Sequence, residues 1–359
     1  MLKNKLYLAK KIANRFAEGN RNFINHSLGQ TLKPKWIWYE VTDKCNSHCT
    51  HCHIWEKKTP SRTLTLEELR KAFSDPLFSE VETVINSGGE AILRGDIIDL
   101  IRLEHEIFPK ASLDLSTNGI LAERVVKIVE TVLEEKIKIN VGVSLDALGA
   151  KHDEIRGVPG NFNKVDYLLN ELVRLRKKYP HYLSIVAGLT LSPLTLEGWE
   201  DVKKYLDEKD IELMVQWYNQ SSFYENDNME KEANLKKMFK AVEAQPNTII
   251  REKWLKLLGE KPIKFKCFAA ETFFAMKCDG SIVPCLSYWD SILGNVRNES
   301  PAKIWNGEKA KEARKAIANC PGCLNSWGVE WSASTIFYPR LFFYLRHPKA
   351  VLDRLKRRD

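Results

Sequence analysis

The chain has 359 residues, 44% of them hydrophobic and 28% charged, which is the composition of an ordinary globular protein able to bury a sizeable core. Its eight cysteines are too few for a disulfide scaffold, and they fall in two groups, at 45–52 and 267–323, a pattern that favours metal or catalytic use. The net charge of +8 permits an anionic substrate, nucleic acid or a membrane surface, and selects none of them.

Residues 1–35 form a basic, amphipathic lead-in, expected to be helical from Leu2 to about Ala17. The lead-in has no long apolar run, so it reads neither as a signal peptide nor as a transmembrane span, and a reducing cytoplasm is expected. It is too short to hold a peptide-recognition domain. From Trp36 to about Gln220, strand-like runs at 36–42, 81–86, 111–116, 138–145, 183–191 and 211–217 alternate with helical patterns at 65–75, 95–107, 121–136, 162–178 and 196–208. Thr65, followed by Glu67 and Glu68, reads as a cap for one helix and Asn161 for another. Repeated βα units imply a parallel sheet with helices outside it. Six units predict an α/β fold, a partial (β/α)6 TIM-type barrel over 36–220, with catalytic groups at the C-terminal strand ends.

Cys45-Asn46-Ser47-His48-Cys49-Thr50-His51-Cys52 leaves the end of the first strand. Three thiolates in a CxxxCxxC triplet suit an iron–sulfur cluster with one iron left open, since a closed [4Fe–4S] site uses four. Zinc is the alternative, with His48, His51 or His53 as a fourth ligand. The second strand ends in Asn86-Ser87-Gly88-Gly89-Glu90, where paired glycines let a ligand approach the backbone; a plain βα turn is the alternative. The third ends in Ser116-Thr117-Asn118-Gly119 and the fourth in Ser144-Leu145-Asp146, small polar groups suited to a ribose or an amino-acid carboxylate. Arg156, in His152-Asp153-Glu154-Ile155-Arg156-Gly157, offers a guanidinium fork for a carboxylate, or else a surface salt bridge.

These motifs resemble the radical S-adenosylmethionine (SAM) enzymes over roughly residues 36–217. The resemblance implies that Cys45, Cys49 and Cys52 bind a [4Fe–4S] cluster whose open iron chelates SAM. An electron from an external reductant then cleaves SAM to methionine and a 5′-deoxyadenosyl radical, which abstracts hydrogen from substrate. It further implies that Gly88, Gly89 and Glu90 meet the SAM amino group. Ser116, Asn118, Ser144, Asp146 and Arg156 become SAM-side candidates, and His51 stands where an aromatic residue usually approaches the adenine. Val186-Ala187-Gly188 and Gln216 would wall the adenine pocket.

Residues 221–260 read as a charged helical linker without visible chemistry. In 261–327, two short apolar strands flank Asp279-Gly280 as a β-hairpin, and Cys320-Pro321-Gly322-Cys323 is a CxxC knuckle. Cys267, Cys285, Cys320 and Cys323 could close a four-thiolate site, with a zinc ribbon as the alternative. The spacing, with Gly294-Asn295-Val296 and Ile304-Trp305-Asn306 between, is similar to the SPASM/Twitch extension of radical SAM enzymes. No cysteine follows Cys323, which points to the shorter, Twitch-like α+β form with one auxiliary [4Fe–4S] cluster as electron acceptor. Cys278 is then a core thiol, an alternative ligand or a catalytic thiol. The tail, 328–359, mixes aromatic with basic residues: it suits docking on a membrane surface, or packing on the barrel with its charges in water, and nucleic acid is disfavoured.

The expected substrate is a small polar or carrier-linked metabolite, such as a sugar, cyclitol or lipid-linked intermediate. The alternatives are a ribosomal peptide or protein side chain, or a non-catalytic iron–sulfur or zinc protein.

Overall fold

Strand period decides how the first two thirds of the chain fold. In β4 (Ile139–Ser144) the apolar residues Ile139, Val141 and Val143 are buried, while Asn140, Gly142 and Ser144 alternate with them on the other face. The same alternation runs through β3 (Ser112–Thr117) and β5 (Leu183–Leu191). One face of each strand is therefore built to lie under helices, and the other is small and polar. The computed structural model describes residues 14, 17–57, 62–218, 221–224, 266–320 and 326–335. The expected lead-in helix before residue 14, most of the 221–260 linker, Cys323 and the tail beyond 335 lie outside the described residues.

Helices precede and separate the strands. They are α1 (17–27), α2 (Leu66–Phe73), α3 (Ile97–Ile107), α4 (Ala122–Glu134), α5 (Gly149–Arg156), α6 (Asn161–Lys178) and α7 (Trp199–Glu208). Val125, Ile128, Val129, Val132 and Leu133 of α4 are buried at helical spacing, as are Val165, Leu168, Leu169, Leu172 and Leu175 of α6. Thr65 caps α2 through a full capping box with Glu68. The expected Asn161 cap is different. Gly160 is the cap of α6, Asp153 takes the free amides of Gly160 (2.6 Å) and Phe162 (2.7 Å), and the Asn161 side chain is buried toward His152.

Strands β1 (Trp36–Thr42), β2 (Thr83–Gly88), β3, β4, β5 and β6 (Glu212–Trp217) pair in sequence order, all parallel. This is the partial (β/α)6 barrel. The sheet continues past β1. The hairpin strand β7 (Phe273–Met276) pairs parallel with β1, Trp36 opposite Phe273, and β8 (Ser281–Val283) and β9 (Gly294–Asn295) extend it antiparallel. The auxiliary region thus shares one nine-stranded sheet with the barrel. β1 is thus hydrogen-bonded along both edges, and every residue of it is buried. Helices α8 (Pro301–Asn306), α9 (Glu308–Ala318) and α10 (Ser326–Thr335) follow. Trp331 of α10 is buried, its ring stacked on Trp36 with centroids 6.0 Å apart, so this member of the expected tail packs on the barrel. Among the described residues no helix is long and apolar enough to cross a membrane.

One buried acid ties α3 to the sheet. Glu104 accepts a 2.7 Å hydrogen bond from Asn86 Nδ2 on β2. Burial pushes its carboxyl up to about 8, against the Asn86 bond and the Arg94 charge. The folded chain therefore holds a proton that the unfolded chain releases at roughly pH 4.3. This stability is full below that pH and falls as pH rises toward 8. Glu104→Gln should flatten the dependence. Its urea midpoint is expected to change less between about pH 5 and pH 8 than that of the parent chain, and equal falls in the two proteins would contradict this.

Candidate active site

The C-terminal ends of β1 to β6 open into a cavity of about 180 Å³. Cys45, Cys49 and Cys52 line it together with His51, Gly88, Gly89, Glu90, Ser116, Asn118, Ser144 and Arg156. Gln216 lines it as well, whereas from β5 it is Thr190, and not residues 186–188, that reaches the cavity. Asp146 is buried and stands behind Arg156.

The cysteine loop is held on two sides by backbone contacts. On one side the amides of Gly89 and Glu90 donate to the carbonyls of Thr42 and Lys44, both at 2.8 Å. A Cβ on Gly88 would stand 2.4 Å from Thr42 O, and one on Gly89 would stand 2.1 Å from Lys44 O. The paired glycines are therefore needed first for the approach of the loop backbone itself. On the other side the His48 amide donates to Arg156 O (3.0 Å) and the Thr50 amide to Ile155 O (2.9 Å). Gly157 closes this contact: it ends α5 in the left-handed region, φ 63°, and a Cβ there would stand 2.3 Å from His48 O.

Donors are aimed at two of the three sulfurs. Ser47 Oγ lies 3.1 Å from Cys49 Sγ and donates to Arg156 O at 3.0 Å. Arg156 Nη1 points at Cys49 Sγ from 3.7 Å, and Asn118 Nδ2 at Cys45 Sγ from 3.9 Å. As free thiols, burial pushes Cys45 up to about 11 and Cys52 to about 12. Their anionic form therefore needs a bound cation, and metal uptake would release protons. Among the described residues no three Cys, His, Asp or Glu side chains close around a single ion. The match of this triplet to a cluster rests on its thiol chemistry, the donors facing it and its place at the strand ends.

The remaining charges form a buried frame. Arg156 is not on the surface: it is 7% exposed and ion-paired with Asp146 at 2.7 Å. Asp146 Oδ1 accepts from the Thr190 amide (2.8 Å), and its own amide donates to His152 Nδ1 (3.3 Å). Burial lowers His51 and His152 to about 4, so both rings are neutral at neutral pH. Burial raises Glu90 to about 7, opposed chiefly by a 2.7 Å hydrogen bond from the Asn118 amide. Asn118 also donates to Asn46 Oδ1 at 2.8 Å, linking the third strand end to the cysteine loop.

The opposite wall is aromatic and apolar. It comprises Trp38, Ile54, Tyr218, Phe223, Tyr224 and Leu286. Trp38 meets Phe223 edge-on with centroids 4.9 Å apart, and the Tyr224 carbonyl accepts from the His53 amide at 2.8 Å. The sequence reading missed this wall. Phe223 and Tyr224 lie in what reads as a charged linker, and Trp38 reads only as a strand residue.

In the second cysteine group, Cys267, Cys285 and Cys320 gather at Tyr288. Burial and then these three thiols raise its hydroxyl, which is hydrogen-bonded to Cys320. Cys323 lies outside the described residues. Cys278 is elsewhere, fully buried, with its amide donating to Glu40 Oε2 at 3.0 Å and its thiol raised by burial and by Glu40.

Comparison with known proteins identifies the class. Residues 39–206 match the family model of the radical SAM superfamily, and residues 267–324 match SPASM, described as an iron–sulfur cluster-binding domain. The chain belongs to the radical SAM superfamily and carries a SPASM-type domain; SAM and [4Fe–4S] clusters are its cofactors. It is 25% identical over 319 residues to the AdoMet-dependent heme synthase of Methanosarcina barkeri, covering 80% of this chain and 86% of that one. It is 32% identical over 181 residues to the GTP 3′,8-cyclase of Alkaliphilus oremlandii, covering 48% of this chain and 54% of that one. In fold it is similar to Streptococcus suis SuiB bound to precursor peptide SuiA (TM-score 0.63, 17% identity, 86% of this chain and 71% of that one).

The pin at Gly157 is testable. Gly157→Ala combines an unfavourable φ with a clash against His48 O, and is expected to cost about 1–3 kcal/mol in urea unfolding. A change below about 0.5 kcal/mol would show that the cysteine loop is not held there.

Proposed function

We propose that this radical SAM enzyme uses Cys45, Cys49 and Cys52 to hold its SAM-binding cluster, and Cys267, Cys285, Cys320 and Cys323 to hold an auxiliary one. Gly88, Gly89 and Glu90 receive the amino end of SAM. Ser116, Asn118 and Ser144 receive its sugar, and the free donors of Arg156 its carboxylate. When bound, these cofactors supply a 5′-deoxyadenosyl radical and an electron acceptor, and an external one-electron reductant in a reducing, cytoplasmic compartment supplies the electron. The protein's own contribution is orientation and exclusion of water. Glu90, buried beside an amino cation, would be held as a carboxylate, since an opposite charge favours the ionised form.

The observation that carries the reading is the convergence of the three thiols, Glu90 and Arg156 on one cavity whose other wall is aromatic. That wall also narrows the substrate. Trp38, Phe223 and Tyr224 offer flat apolar surface and no charge, so the expected small metabolite carries a flat or apolar portion. A tetrapyrrole fits this description, and the heme synthase of Methanosarcina barkeri, which aligns over most of both chains, supports that choice. The fold shared with peptide-bound SuiB keeps a peptide side chain as the second reading.

The test is anaerobic reconstitution of the full chain, then SAM and dithionite. About eight irons per chain and formation of 5′-deoxyadenosine are expected, and Cys49→Ala should lose about four irons and all deoxyadenosine. No deoxyadenosine from a fully loaded protein would overturn the proposal. A carboxylated tetrapyrrole should raise deoxyadenosine formation by about tenfold or more, and Trp38→Ala should weaken its binding. Stimulation by peptides alone would move the assignment to the second reading.

A further inference from the structure

Arg156 is bonded in a way that binding the SAM carboxylate does not require. Its Nη1 points at Cys49 Sγ from 3.7 Å, while Nη2 is tied to Asp146 Oδ2 at 2.7 Å. Its carbonyl accepts from the His48 amide and from the hydroxyl of Ser47, both at 3.0 Å, and that hydroxyl is itself 3.1 Å from the same sulfur. One residue therefore fixes Cys49 by backbone and faces it with a cation. Cys45 has a neutral amide donor, Asn118, at 3.9 Å. Asp146 is fixed in turn by the Thr190 amide and by His152, whose Nε2 lies 3.2 Å from Asn161 Nδ2. This frame aims a guanidinium at one sulfur, both of them buried, where a charge acts strongly.

We propose that Arg156 is a positioning residue that raises the reduction potential of the cluster held by the cysteine triplet, with Asp146 as the anchor that keeps it at Cys49. The proposal rests on the triplet holding that cluster. Adding an electron places negative charge on the sulfurs, and a nearby cation together with hydrogen bonds to sulfur stabilises the reduced form. Arg156 has a fixed fork that serves Asp146 and Cys49 at once; a lysine keeps the charge but loses the fork. The carboxylate of Asp146 opposes this effect by its charge and supports it by its grip, so its removal separates the two.

The experiment is a redox titration of the full chain without SAM, followed by electron paramagnetic resonance. The signal to follow is the one that changes form when SAM is added afterwards, which sets this cluster apart from the auxiliary one. In Arg156→Gln the ratio of reduced to oxidised cluster at the parent midpoint should fall about tenfold, a shift of about 59 mV to more negative potential. Arg156→Lys should shift the same way by less. Asp146→Asn should also shift negative, because the released guanidinium leaves Cys49. A positive shift there would overturn the anchoring role. An unchanged potential in Arg156→Gln with full iron content would overturn the whole inference. If Arg156→Gln fails to take up iron, Arg156→Lys decides in the same way, and no shift in it overturns the proposal. A Cys49→Ala protein that keeps the SAM-responsive signal would instead sink the underlying reading of the triplet.

Discussion

The grip of two backbone segments on the cysteine loop is the constraint on which the site depends. Three thiols within eight residues cannot define a cluster mouth if the loop carrying them is free to move. Here the carbonyls of Thr42 and Lys44 dock onto the Gly89 and Glu90 amides, and the amides of His48 and Thr50 dock onto the end of α5. Both contacts need glycine, at 88, 89 and 157, because a side chain would occupy the place of the opposing carbonyl. The motifs around these glycines are thus structural before they are catalytic. Each one brings its functional neighbour, Glu90 or Arg156, to the cavity as a consequence of holding the loop.

The wider fold supplies the two characters of the cavity. Along β3, β4 and β5 the period of two sends apolar side chains under α4 and α6, and leaves serine, glycine and threonine facing inward. The inner face is consequently small, polar and suited to a nucleoside. Its aromatic counterpart comes from elsewhere: Trp38 on β1, the 221–224 turn and Leu286 beyond the hairpin. The sheet makes this possible. Because β7 pairs with β1, the residues after the hairpin return to the open side of the barrel, and the second cysteine group is carried on the same sheet as the first.

Much of this was legible in the sequence, and the parts that were not share a cause. The six barrel strands lie within about two residues of the runs read from the sequence, and β3, β4 and β5 each bury one face by alternation. Helix α5 escaped because its buried residues are His152, Ile155 and Arg156, of which only Ile155 is apolar; its packing is polar and leaves no hydrophobic period. Asn161 has the chemistry of a cap, but its side chain is spent on His152 while Asp153 caps the helix from outside it. Asp146 read as a strand-end ligand, and only tertiary structure shows the guanidinium in front of it. The β1–β7 pairing and the aromatic wall join segments far apart in the chain, and no local pattern records such a contact.

The central claim is that the pinned triplet leaves one metal site open to SAM. The most direct measurement is magnetic coupling between the reduced protein and a nitrogen-15 label in the amino group of added SAM. A coupling large enough to require direct coordination is predicted, together with its disappearance in Cys49→Ala. A reduced cluster that binds SAM without any such coupling would contradict the account, because the triplet would then be a closed site.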